Sequence, residues 1–175
     1  DGIVAQTHHQ ADAVEAEYGV EAAVVPNGYP RAGSSPLPFD ERDGLLWVWR
    51  LDEEQKRPHL LLDLAERLEG LSFRFAGPKG RSTAYPDRII DRAESLPNVD
   101  YLGVVDPEEI HEEYRRALAL VNTSAYEGFP NTFLEAWRHG TPVVSLEVNP
   151  TAYLDADDDI LGSTGDLDAT VERCR

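Results

Sequence analysis

Between residues 45 and 146 the chain alternates short apolar runs with segments of helical period, and this alternation sharply limits the architectures open to it. Residues 45–49 are apolar throughout, as a strand covered on both faces of a parallel sheet must be. Residues 58–68 place Leu60, Leu61, Leu64 and Leu68 on one helical stripe behind a first-position proline, Pro58, with Gly70 as the expected stop. The pattern then predicts a strand over 72–76, a helix over 84–96 disrupted at Pro86, and a strand over 99–102. A further helix opens at Asp106-Pro107-Glu108-Glu109, by N-cap, proline and acidic first turn. Strands over 118–121 and 142–146 follow, with a helix over 131–139 between them that ends at Gly140. Strands that alternate with helices in this way require an α/β fold with a doubly wound parallel sheet and right-handed crossovers. Ligands of such sheets sit beyond the carboxyl ends of the strands.

Ahead of this region, residues 2–6 read as a strand and Thr7 to Gln10 as a capping box, opening a helix that Gly19 closes after Tyr18. A second strand over 22–25 leads to the turn Pro26-Asn27-Gly28. The next stretch has three prolines and two serines within residues 29–43, the composition of a linker. The organisation expected is therefore a strand-helix-strand unit over 1–28, a linker over 29–44 and a main domain over 45–175. The chain opens on Asp1, has no methionine and ends on a helix-like run from Asp166, so it is expected to be a piece of a longer protein.

With 33 acidic against 16 basic residues and a net charge of −17, the surface repels phosphate backbones and anionic lipid, which argues against nucleic acid as a partner. Such acidity, with Lys56 and Lys79 the only lysines, is expected of a halophilic protein, whose carboxylates hold water and are screened by salt. The single cysteine, Cys174, has no internal disulfide partner and suits a reducing cytosol. No apolar stretch is long enough to span a membrane, so a cytoplasmic location is expected, with membrane contact only through sequence beyond this chain.

The stretch Ser124-Ala125-Tyr126-Glu127-Gly128-Phe129-Pro130-Asn131-Thr132-Phe133-Leu134-Glu135-Ala136-Trp137 carries the chemistry. Gly128 permits a tight loop and Pro130 marks a helix start. The amides of Phe129, Asn131 and Thr132 then stand where a phosphate or diphosphate can be held. Glu135, farther along the helix, can accept hydrogen bonds from vicinal hydroxyls such as those of a ribose.

With seven residues between Glu127 and Glu135, this segment resembles the Glu-x7-Glu motif of the family 4, or group 1, retaining glycosyltransferases. Trp47-Val48-Trp49-Arg50-Leu51, followed by Lys56-Arg57-Pro58, is similar to the family's Gly-Arg-Leu and Lys segment, with Trp49 in place of the usual glycine. Gly77 matches the family's strand-end glycine, Gly103 closes the strand before its nucleobase loop, and the run from Glu135 through Gly140 to Pro142 matches its helix-to-strand signature. The resemblance implies the Rossmann-like C-terminal half of a GT-B fold that takes a nucleoside-diphosphate sugar as donor and needs no metal or other cofactor. It implies that Arg50, Lys56 and the start of the helix at Asn131 and Thr132 hold the diphosphate, that Glu135 holds the ribose, and that Glu127 meets the sugar. Residues 1–28 resemble the last strand-helix-strand of the family's other domain. The acceptor, a glycan or a lipid-linked saccharide, is left open.

Other readings of the same residues stay open at this level. Arg50 and Lys56 could pair with Asp52, Glu53 or Glu54 at the surface, Glu127 could cap a helix, and Glu135 could pair with Arg138. The three tryptophans are expected to pack, and His8 and His9 to be solvated first-turn residues. Asp155, Asp157, Asp159 and Asp166 fall at calcium-loop spacing, but Ile160 occupies the position of the turn glycine, so an acidic loop is expected instead. A sugar-nucleotide epimerase of the same architecture and a non-catalytic interaction domain are the two rival functions.

Overall fold

The computed structural model describes residues 2–30, 35–80, 84–149 and 164–174. The first unit is a parallel pair, β1 (Ile3–Ala5) and β2 (Ala22–Val24), joined across α1 (His8–Tyr18). The Thr7 hydroxyl accepts from the Gln10 amide, and Gly19, at φ 65°, closes the helix. The reciprocal half of the expected capping box is displaced by one residue, because Gln10 Oε1 takes the amide of Gln6 at 2.9 Å. Asp155, Asp157 and Asp159 of the calcium-like spacing lie outside the described residues.

The main sheet is parallel throughout. It contains β3 (Leu45–Val48), β4 (Phe73–Ala76), β5 (Val99–Gly103), β6 (Ala119–Asn122) and β7 (Val143–Ser145) in the order β5-β4-β3-β6-β7. The winding runs outward from β3 through β4 to β5, then returns to the other side of β3 with β6 and β7. β3 and β6 therefore bound the topological switch point, where helices leave in opposite directions and a crevice opens. The helices are α2 (Pro58–Arg67), α3 (Ala84–Ser95), α4 (Ile110–Arg116), α5 (Asn131–Arg138) and α6 (Leu167–Cys174).

The core follows from the apolar pattern. Leu45, Leu46 and Trp47 of β3 are buried, as is every residue of β4 and β6, and α2 covers the sheet with Leu61, Leu62, Leu64 and Ala65. Each fully buried leucine contributes roughly 1.5–3 kcal/mol relative to exposure. Trp47 is tilted against Phe75 with ring centres 5.0 Å apart and donates its indole N–H to the Thr123 hydroxyl at 2.9 Å. It is a packing residue, as expected of an aromatic in this position. Arg74 lies buried within β4, paired with the carboxylates of Asp43 at 2.9 Å and Glu113 at 2.6 Å.

Three expectations about helix ends are corrected. Gly70 does not stop α2; the helix ends at Arg67 with Leu68 as its cap, and Asn98, just before β5, donates its amide to the carbonyls of Ala65, Leu68 and Leu71. Pro86 does not disrupt α3, because it sits in the first turn, where an amide hydrogen has no intrahelical partner to lose. Asp106 does cap the amides that follow it, but residues 107–109 form a turn and α-helix begins only at Ile110.

Gly77 ends β4 at φ 150°, and a Cβ there would lie 1.7 Å from the Trp49 carbonyl oxygen. That oxygen belongs to rigid backbone, so a side chain at 77 would prise the ends of β3 and β4 apart. Gly77→Ala is expected to cost about 3 kcal/mol of unfolding free energy, to be read from urea denaturation.

Candidate functional site

Two loops leave the switch point, one joining β3 to α2 and the other joining β6 to α5. The first continues alongside β4 for a few residues: Trp49 donates to the Ala76 carbonyl, Leu51 donates to the Pro78 carbonyl, and Leu51 bridges to Lys79. Arg50 is thus carried past the end of the sheet, with its side chain half exposed and 3.8 Å from Asp52. The surface partner considered for Arg50 is present, at a distance that makes it a weak tie.

The same loop then crosses to the second one. Lys56 Nζ meets Glu127 Oε1 at 2.5 Å, with side-chain exposures of only 13% and 9%. The surrounding backbone is laced as well: the Thr123 hydroxyl donates to the Lys56 carbonyl at 2.7 Å, and the Ala125 amide donates to the Gln55 carbonyl at 2.8 Å. Arg57, which precedes Pro58, is held at φ 49°. Its guanidinium donates to the Thr123 carbonyl at 2.9 Å and to Glu147 Oε1 at 2.7 Å. Those two contacts tie the strained residue to the ends of β6 and β7.

Glu135 stands on α5 between two phenols. Tyr114 donates to Oε2 at 2.7 Å and Tyr29 donates to Oε1 at 3.2 Å. Burial, and then the charge of Glu135, raises the pKa of both tyrosines, so both remain protonated donors through the neutral range. Arg138 lies over the Tyr29 ring at 5.5 Å. At the start of α5, Asn131 Oδ1 accepts from Asn27, whose own Oδ1 accepts from Gln6, both at 2.9 Å. Asn27 and Tyr29, two residues apart on an extended segment, thus meet Asn131 and Glu135, which are one turn apart on α5. Helix geometry leaves the amides of Asn131 and Thr132 without intrahelical acceptors, and Phe129, two residues before the helix, is buried.

An open cavity of about 270 Å³ lies between the start of α1 and these loops. Glu127 and Gly128 line it, together with Thr7, His9, Gln10 and the segment from Glu147 to Asn149. A Cβ on Gly128 would come within 2.9 Å of the Gln10 amide nitrogen. Of the sequence-predicted residues, then, Lys56, Glu127 and Gly128 are brought together, Asn131 and Glu135 share one face of α5, and Arg50 is half exposed beside Asp52. Arg50, Lys56 and Glu135 are not among the described lining residues of this cavity. Gly77 donates its amide to the Gly103 carbonyl at 2.7 Å, so the two glycines hold the ends of β4 and β5 together.

Sequence reading missed Arg57, Thr123, Tyr29 and Tyr114. Only Arg57 left a signal, as a cation before a proline, where the backbone is restricted. Among the described residues no group of three His, Cys, Asp or Glu is placed to hold a metal ion, and no helix is long and apolar enough to cross a membrane.

Removing one partner of the Lys56–Glu127 pair leaves the other charge poorly solvated. Lys56→Ala is expected to cost about 3 kcal/mol, and the double variant with Glu127→Ala less than the sum of the two single changes. A double-mutant cycle in chemical denaturation reads this coupling directly.

Comparison with known proteins bears on this arrangement. The model of the family described as "Glycosyl transferases group 1" matches residues 42–175. The D-inositol 3-phosphate glycosyltransferase of Kineococcus radiotolerans is 30% identical, over 95% of this chain and 44% of that protein. The enzyme of the same name from Mycolicibacterium smegmatis is 33% identical, over 68% of this chain and 28% of that protein. The chain thus spans less than half the length of these relatives. Among solved structures, Anabaena HepE in complex with UDP and glucose superposes with a TM-score of 0.80 at 18% identity, covering 98% of this chain and 52% of that one. The lipopolysaccharide outer core galactosyltransferase WaaB in its apo form gives a TM-score of 0.74 at 25% identity, covering 99% and 52%. The chain belongs to the group 1 glycosyltransferases and has the Rossmann-like α/β fold of their GT-B architecture.

Proposed function

We propose that this chain supplies the donor-binding half of a retaining glycosyltransferase that moves a sugar from a nucleoside diphosphate to an acceptor hydroxyl. The observation that carries the reading is the position of the laced loops, with a helix start between them, at the switch point of a parallel sheet. Crevices at such points take nucleotides. In this reading the diphosphate lies at the amides of Asn131 and Thr132, where the N-terminal dipole of α5 favours negative charge. Arg50 and Lys56 approach it from the β3 loop. The ribose diol takes the place of the Tyr29 hydroxyl on Glu135, while the buried Tyr114 keeps the carboxylate oriented. The sugar extends toward Glu127.

Chemistry follows from where charge develops. As the glycosidic bond to the leaving phosphate lengthens, negative charge accumulates on the diphosphate oxygens. Fixed cations and helix amides hold that charge more strongly in the transition state than in the ground state. These groups take the place of a divalent cation in the proposed reaction. Two neighbours of the same fold are described in complex with UDP and a sugar, HepE and the pneumococcal O-GlcNAc transferase GtfA, which is consistent with a donor of this class.

Titration calorimetry with UDP, GDP and ADP tests the reading. At least one is expected to bind, and Glu135→Ala is expected to weaken that binding about thirtyfold, as befits a charge-assisted bidentate contact. Unchanged affinity in the variant would assign the ribose elsewhere.

A further inference from the structure

The cavity beside Glu127 has a charge arrangement of its own. Two carboxylates line it, Glu127 from the β6 loop and Glu147 from beyond β7, while their cations, Lys56 and Arg57, are absent from the lining described. Each cation is bound to one carboxylate oxygen, Lys56 at 2.5 Å and Arg57 at 2.7 Å. The Arg57 side chain is 18% exposed, whereas that of Glu147 is 44% exposed. The rest of the described lining consists of Thr7, His9, Gln10, Asn149, small residues, Tyr126 and Val148, with no Lys or Arg. At about 270 Å³ the space is near the low end for small-molecule sites and fits a single sugar ring.

We infer that this cavity is a subsite for an uncharged hexose, and that Glu147, held by Arg57, is a specificity-determining residue that excludes sugars carrying a carboxylate. The inference rests on the donor reading above. Sugar hydroxyls are donors, and carboxylate oxygens with a lone pair turned to the cavity satisfy them. A uronate would instead bring its own negative charge against two carboxylates whose counter-ions are already committed, in a partly desolvated space. Glu147 acts through Arg57, which fixes one of its oxygens while held at φ 49° between Lys56 and Pro58.

The test compares UDP, UDP-glucose and UDP-glucuronate by calorimetry on the chain at about pH 8, above the ordinary histidine range, with GDP or ADP and their sugar conjugates substituted if UDP is not the base accepted. The wild-type chain is expected to bind the glucose donor about tenfold more tightly than the glucuronate donor, the size of one partly screened like-charge contact. Glu147→Gln, which keeps an acceptor for Arg57, is expected to narrow that gap to about threefold, with affinity for the nucleoside diphosphate as the reference. Equal binding of both donors by the wild type overturns the inference without recourse to any variant, and a gap unchanged in Glu147→Gln overturns the role of Glu147. Binding of the nucleoside diphosphate combined with either of those results leaves the donor reading standing; failure of all three nucleoside diphosphates removes both.

Discussion

The Lys56–Glu127 contact joins the two loops that diverge from the switch point of the sheet, and the geometry of the site depends on it. A parallel sheet sets where those loops begin but not where they go, since each is free to fold back over its own helix. Placing a cation on one and a carboxylate on the other, both largely withdrawn from water, makes separation costly. Thr123 adds a second tie, accepting from Trp47 in the core and donating to the Lys56 carbonyl, so the lacing is anchored to the buried part of β3. With the loops fixed, α5 starts directly after Pro130 at the end of the β6 loop, the position at which the proposed reading puts the diphosphate.

The first strand-helix-strand unit is bound to the same place. Gln6, Asn27 and Asn131 form a chain of side-chain hydrogen bonds, Tyr29 reaches Glu135, and Gln10 lies against Gly128. This unit leaves Ile3, Val4, Tyr18, Val20 and Val25 exposed, while the main domain buries its strands. Its polar residues therefore do the anchoring, and they do so on the elements that form the cavity. In the proposed reading, a donor at α5 would compete with Tyr29 and Asn27 for Glu135 and Asn131, which couples its binding to the position of this unit.

Much of the fold was legible because it rests on local pattern. Largely apolar runs bounded by polar segments located every strand of the main sheet within two residues; β3 and β7 fit the fully buried pattern best, whereas β4 carries the buried Arg74 and β5, with Asp100, is only partly buried. Helix ends were legible only where the cap is local. Gly19 and Gly140 close their helices as read, but the carbonyls of α2 are satisfied by Asn98, which is distant in sequence. The site divides in the same way. Glu127, Gly128, Asn131 and Glu135 form one contiguous motif, whereas Tyr29 and Tyr114 reach Glu135 across 106 and 21 residues and carry no spacing by which to find them. Arg50 illustrates the limit from the other side: its position was legible, but the composition around it also supplied Asp52, and the structure holds that contact.

The central claim is that the crevice between β3 and β6 receives a nucleoside diphosphate at the start of α5. Amide-resolved NMR of the chain titrated with UDP, GDP or ADP tests it most directly. The account predicts that the largest shifts fall on Asn131 and Thr132, with smaller ones around Arg50 and Lys56. Saturable shifts confined to another face of the sheet, with the start of α5 unmoved, would contradict it.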